Sequence, residues 1–249
     1  MQDQYENIIS KADSLLIVVA HPDDLDVMAG GTIARARSQS IPVRALVCTN
    51  GAFGSRENDI PLEKLARMRL EEQRNAVRHL GMDTDELFIL DNEDCTLRDT
   101  DHALIERIAF HMREFRPSHI ITHDPITIFK KQRKQFHFIN HRDHRAVGGA
   151  VVNAVMPMAR DVSFFPEHRK KGLTGIDVKK ILVHDSYDGE IFINIDDFIA
   201  QKIEALLSHS SQFDDMTVKR IMMMNDANAE KDTEETDYWE RFRYYELER

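Results

Sequence analysis

The chain has 249 residues, 42% hydrophobic and 8% aromatic, which is enough for one full-sized domain with its own core and cramped for two. Lys+Arg 33 against Asp+Glu 43 leave a net charge of -10, which argues against a general binder of nucleic acid or of anionic membrane. The longest purely apolar run, Leu15 to Ala20, falls far short of the roughly 18 residues of a membrane span, and the start of the chain lacks the pattern of an export signal, so the cytoplasm is the expected compartment. Cys48 and Cys95 are too few for a disulfide framework and read as plain thiols.

In chain order, Leu15 to Ala20 reads as a strand buried on both faces, Ala29 to Ser40 as a helix, and Val43 to Thr49 as a second strand stopped by Asn50-Gly51. Leu62 to Leu80 carries apolar residues at helical spacing, with Gly81 placed to end the helix. Glu86 to Leu90 is a short strand, Ala103 to Phe115 a helix closed by Pro117, and His119 to Thr122 a further strand. Arg145 to Ala159 reads as a helix, Lys180 to Asp185 and Glu190 to Ile195 as strands, and Asp197 to His209 as a helix. The alternation predicts an α/β fold, a three-layer Rossmann-like domain with a mainly parallel sheet, in one domain spanning 1–249. Ligand sites in such a domain lie beyond the C-terminal ends of the strands. Two segments depart in composition, 126–140 with its Lys130 to Lys134 basic stretch and the acidic 225–237, and read as variable loops, solvated or at the rim of a site.

Two polar clusters carry the chemistry. His21-Pro22-Asp23-Asp24 follows the first strand; a His and an Asp three positions apart on a tight turn can share a metal, leaving Asp23 free to act as a base, while a helix cap accounts for the same residues. His141-Arg142-Asp143-His144 precedes a helix and offers a ligand, an acid and an orienting carboxylate, though surface histidines also occur without a role. Together the clusters can supply His, Asp and His, a set that leaves a tetrahedral zinc one open position.

Ala20-His21-Pro22-Asp23-Asp24 followed by His141-x-Asp143-His144 resembles the signature pair of the LmbE-like, or PIG-L-like, zinc N-deacetylases, with Arg142 where the family commonly has Pro. Thr49-Asn50-Gly51, Arg69-x-x-Glu72 with Leu80-Gly81, the Lys202…His209-x-Ser211-Gln212 segment and Glu240-x-Phe242 are further matches, so the resemblance runs from Leu15 to Phe242. The resemblance implies that His21, Asp24 and His144 bind Zn2+, with Fe2+ suited to the same donors, that Asp23 is the general base, and that His141 assists the tetrahedral intermediate with Asp143 holding its imidazole. Asp23 acting in reverse, or His141, can return a proton to the leaving amine. The implied activity is removal of N-acetyl from an N-acetylglucosamine-type sugar or glycoconjugate by a homo-oligomer, with no nucleic acid and no membrane span. The alternatives are deacylation of another N-acylated small molecule, such as a glycopeptide, and a non-catalytic member that keeps the metal.

Arg69 and Asn50 are the expected substrate contacts, although Arg69 can equally be a helix partner of Glu72 or Gln73. Arg56 and His209 are further candidates to line the pocket; Asp94 resembles the family's acidic position after the third strand. His123 and Asp124 lie near the second cluster, and a turn-capping Asp before Pro125 explains them as well. Lys130 to Lys134 suggest an anionic aglycone such as malate, whereas Met222, Met223 and Met224 read as core filler. No Gly-x-Gly-x-x-Gly, Gly-x-Ser-x-Gly, Gly-x-x-x-x-Gly-Lys or His-Glu-x-x-His motif is present, which removes the dinucleotide, serine-hydrolase, P-loop and zincin readings.

Overall fold

Every residue of β1 (Leu15–Val19) is buried, and its two faces feed two different cores. Leu15, Ile17 and Val19 pack on one side of the sheet and Leu16 and Val18 on the other, the period-two alternation of a strand covered on both faces. The computed structural model describes residues 1–54, 60–131, 137–184, 189–227 and 236–248. Around β1 it places α1 (Tyr5–Ile8), α2 (Asp24–Ser38), β2 (Val43–Thr49), α3 (Leu62–His79) and β3 (Leu87–Asn92). Next come α4 (His102–Phe115), β4 (His119–His123), β5 (Phe129–Lys131), β6 (His137–Ile139) and α5 (Arg142–Asn153). The remainder is α6 (Pro166–Lys170), β7 (Lys180–His184), β8 (Ile191–Asn194), α7 (Ile199–Leu207), α8 (Asp215–Asn225) and β9 (Trp239–Glu246).

Among the described residues, seven strands form a sheet in the order β3-β2-β1-β4-β7-β9-β8, parallel from β3 to β7, with β9 antiparallel to both its neighbours. This is the expected α/β class with a mainly parallel sheet between two helical layers. The core containing Leu15 and Ile17 includes residues of α2, α3 and α7, and the core containing Leu16 and Val18 includes residues of α4 and α5. The chain runs outward from β1 through β2 to β3 and then returns to the other side of β1 as β4. A crevice therefore opens beyond the C-terminal ends of β1 and β4, where consecutive connections diverge.

Several boundaries differ from the sequence reading. The first long helix begins at Asp24, five residues before the expected Ala29, and is kinked at Ala29, whose φ is -143°. Lys202 and Glu240 explain how the kink is tolerated. Val27 C=O and Gly31 N–H, which an unbroken helix would join, are taken by Lys202 Nζ at 2.9 Å and Glu240 Oε1 at 2.9 Å. The two side chains pair at 2.6 Å with no exposure to solvent. The expected helix from Arg145 to Ala159 starts at Arg142 and changes to wider π-type turns over Ala154–Ala159, which include Pro157. α1, α6, α8, the β5–β6 ribbon and β9 were not anticipated. Of the two variable segments, 126–131 and 137–140 contribute the ribbon, while 132–136 and 228–235 lie outside the described residues.

Candidate metal centre and cleft

The first cluster leaves β1 through Ala20 and turns at once. Asp23 adopts φ +104°, a left-handed conformation that Asp and Asn enter more readily than bulky residues. The turn lets Asp24 fold back: its Oδ2 accepts the His21 backbone N–H at 2.7 Å and lies 3.3 Å from His21 Nδ1. Its other oxygen, Oδ1, faces His144 Nε2 at 3.1 Å. His21 points its second nitrogen, Nε2, at Asp94 Oδ1, 3.1 Å away, and at Asp143 Oδ2, 3.6 Å away.

The second cluster starts α5. His141 caps this helix, its Nδ1 accepting the Asp143 backbone N–H at 3.2 Å. An imidazole whose Nδ1 accepts must carry its proton on Nε2, so neutral His141 presents an N–H donor near Cys95 Sγ, 3.7 Å away. The Asp143 carboxylate is engaged elsewhere. Its Oδ2 accepts the Cys95 backbone N–H at 2.7 Å, so the contact between Asp143 and His141 runs through the Asp143 main chain rather than the expected carboxylate. His21 lies edge-on to His141 with ring centroids 4.7 Å apart, and its ring is 5.3 Å from that of His144.

His21, Asp23, Asp24, Arg69, His141 and His144 share one cleft of about 280 Å³ with Phe53, Gly54, Asp94 and Cys95. A larger hollow of about 490 Å³ beside Trp239 lacks this convergence; Arg35 there is already bound to Asp3 and to the Asn194 carbonyl.

The electrostatics of the cluster suit a cation. Burial opposes ionisation of Asp24, yet His144 and His123 hold its carboxyl well below the usual range. Burial likewise opposes charge on His21, but Asp143, Asp24 and Asp94 lift it well above the ordinary histidine value. Three carboxylates thus converge on one imidazole and draw a positive charge to it. Carboxylate and imidazole donors of this kind fit a divalent ion, which would take the place of that proton. Burial pushes Asp23 upward, with Asp24 acting in the same direction and Arg69 against it. Burial lowers His141, and His21 and His144 lower it further.

The remaining candidates separate by geometry. Arg69 is buried and committed, donating to Gly51 O at 2.7 Å, Pro22 O at 2.5 Å and Asp23 Oδ2 at 3.0 Å. It clamps Asp23 rather than pairing along its own helix. Gly51, at φ +64°, and Gly54 wrap this guanidinium so closely that a Cβ at either position would lie 2.6 or 2.1 Å from Arg69 Nη1. Asn50 closes a turn by accepting the Ala52 N–H at 3.1 Å and is not among the residues lining the cleft. His209 is fully buried behind the site. It contacts Asp26 Oδ2 at 2.9 Å; Gln73 bonds the same oxygen and accepts the Asp23 N–H. Glu72 fastens the following loop through Ser210 and Ser211. Asp124 caps its own turn by accepting from Ile126 and Thr127. Lys130 is buried, its Nζ 5.3 Å from the Phe138 ring centre. Arg56, Arg133 and Lys134 lie outside the described residues.

Sequence reasoning underweighted Asp94, which is pulled down to about 2 chiefly by its hydrogen bond to His21 against the cost of burial. It left His123 open between the second cluster and a turn. The available signal was position, since His123 ends a parallel strand and Asp94 stands just past the end of another.

Comparison with known proteins finds the following similarities. A diacetylchitobiose deacetylase from Thermococcus kodakarensis is 27% identical over 199 residues, covering 80% of this chain and 70% of that protein. A probable N-acetyl-alpha-D-glucosaminyl L-malate deacetylase 2 from Bacillus cereus is 29% identical over 206 residues, covering 81% and 84%. The fold matches the N,N'-diacetylchitobiose deacetylase of Pyrococcus horikoshii with a TM-score of 0.82 at 22% identity, over 97% of this chain and 86% of that one. The profile described as PIG-L: GlcNAc-PI de-N-acetylase matches residues 16–155, and the chain belongs to that family.

Proposed function

We propose that the protein is a metal-dependent N-deacetylase that hydrolyses the acetamide of an N-acetylglucosamine-type sugar or glycoconjugate. One observation carries the reading: Asp23 lines the same cleft as His21, Asp24 and His144, while its Oδ2 pairs with Arg69 at 3.0 Å and it joins none of the groups among the described residues that could hold a metal. A carboxylate that serves neither the fold's core nor the ligand set is what a general base requires. His21, Asp24 and His144 are the proposed metal ligands. When bound, Zn2+, or Fe2+ on the same donors, supplies a charge that brings the pKa of water to near 7 and polarises the substrate carbonyl.

The chain's own groups then divide the remaining work. Asp23 takes the proton of the attacking water, and its upward-shifted carboxyl suits it to hold that proton and return it to the leaving amine. Arg69 fixes the Asp23 carboxylate at 3.0 Å and so sets the direction of proton transfer. His141 donates from Nε2 to the developing oxyanion as a neutral imidazole, because its Nδ1 is occupied by the Asp143 N–H. Gln73, Asp26 and His209 brace the Asp23 main chain from behind.

No helix among the described residues is long and apolar enough to cross a membrane. A free amino-sugar conjugate as substrate and a cytoplasmic site of action are part of the proposal. Assembly into a homo-oligomer belongs to the same proposal. The test is acetate release by zinc-loaded protein from diacetylchitobiose and from malate-linked and inositol-linked N-acetylglucosamine, with Asp23→Asn as blank. Release that the variant abolishes is expected. Equal release by the variant would overturn the assignment of the base, and none from any conjugate would overturn the substrate class.

A further inference from the structure

His123, the last residue of β4, has no part in the chemistry above, yet it touches two of the three proposed ligands, Asp24 and His144, which stand near the starts of different helices. It is fully buried. Its ring stacks on His144 with centroids 4.0 Å apart and planes 14° from parallel. Its Nε2 lies 3.3 Å from Asp24 Oδ2 and accepts the backbone N–H of Ala20 at 3.1 Å. Ala20 follows β1 and Asp24 begins α2, His144 belongs to α5, and His123 ends β4, the neighbour of β1.

Each contact removes a freedom that a metal ligand must not have. A carboxylate can spin about its terminal torsion; Oδ2 of Asp24 is held by the His21 N–H and abuts His123 Nε2, which, accepting from Ala20, blocks the turn by contact alone and leaves Oδ1 aimed at His144. An imidazole can rotate likewise, and a parallel ring at 4.0 Å closes that rotation to His144. The backbone contributes as well. Gly148 of α5 sits so near the His123 carbonyl that a Cβ there would lie 2.3 Å from its oxygen, so the helix that bears His144 rests directly on His123.

We propose that His123 is a positioning residue that fixes Asp24 and His144 relative to each other, so that metal affinity depends on a ring the metal does not touch. The inference rests on the reading of Asp24 and His144 as metal ligands. Groups outside the coordination sphere that orient ligands commonly govern affinity by about 10–100-fold.

The experiment measures zinc affinity by competition with a chromophoric chelator, without substrate. His123→Phe keeps the stacked face and loses the nitrogen; His123→Gln keeps a polar atom near Asp24 and loses the stack; His123→Ala loses both. Phe and Gln should each weaken zinc binding about tenfold and Ala about 100-fold, with the visible bands of the cobalt-substituted protein unchanged in position. Wild-type affinity in folded Phe and Gln variants would overturn the proposal. So would a change in the cobalt bands, which would make His123 a ligand itself. Should Ala fail to fold by circular dichroism, the Phe and Gln variants decide alone. Protein that holds zinc but releases no acetate would refute the deacetylase reading and leave this inference standing. Unaltered zinc affinity in Asp24→Ala would refute the ligand assignment, and this inference with it.

Discussion

Two groups of buried charge stand on either side of α2. At its start, Asp23, Asp24, His21 and His144 converge on a cleft; near its middle, Lys202 and Glu240 pair at 2.6 Å inside the kink. In the kink the partners are all internal, since Lys202 Nζ meets Val27 O and Glu240, and Glu240 receives the Gly31 and Thr32 N–H groups. At the cleft the same kinds of group contact one another at 3.1–3.3 Å and also line an open hollow. Burial of charge does not by itself mark a functional site. Charge whose partners are exhausted within the chain holds the fold, and charge kept facing a cavity is available for chemistry.

Substitutions can break that contrast. The largest effect is expected at Asp24→Ala, which should abolish both bound metal, read by elemental analysis, and turnover. Asp23→Asn should preserve the metal, because Asn accepts the same left-handed backbone, at some cost in melting temperature from the lost charge beside buried Arg69, while lowering acetate release by about 10³-fold. Lys202→Met should do the reverse. It strands Glu240 in the interior at a cost of about 3–5 kcal/mol in urea unfolding, and the protein that remains folded should keep its metal stoichiometry. Gly148→Ala stands between the two classes. Its Cβ must push α5 away from the His123 carbonyl, costing about 1–3 kcal/mol and weakening the metal site at the same time.

The smallest expected effect concerns pH. Burial, with Arg44 acting in the same direction, lowers His111 to about 4, and burial with Lys180 lowers His119 to about 4. The unfolded chain takes up these protons near pH 6.5 while the folded chain refuses them, so stability falls as pH drops from about 6.5 toward 4. Both residues are largely buried, and the loss between pH 7 and pH 5 should be about 1–2 kcal/mol per histidine in urea midpoints. His111→Phe, beside Phe88 and Phe110, should flatten that slope.

The parallel core of the sheet was legible because continuous runs such as Leu15 to Val19 have no other stable placement. β9 was not, since its inward positions alternate Glu240 with Phe242, and a buried Glu breaks the apolar pattern that signals a strand. Both clusters could be read as motifs, and the crevice unites them. The orientation of each side chain was beyond the motif. Arg69 suits a substrate anion by chemistry, but only the approach of Gly51, Pro22 and Asp23 shows that both its terminal nitrogens are engaged. Asp143 sits two residues from His141, yet its main chain makes that contact and its carboxylate reaches Cys95.

The place of β9 between β7 and β8 also sets an order of assembly. β8 emerges from the ribosome well before β9, and its sheet partner among the described residues is β9 alone. Until β9 is synthesised, the nascent chain carries a parallel sheet ending in the bare edge of β7, a detached β8, and a Lys202 without its counterion. Such an edge invites pairing between chains. The cleft can therefore be nearly complete on a polypeptide that is still prone to aggregate, and arrest of translation before Glu240 should yield insoluble product even though every group proposed for catalysis has already been made.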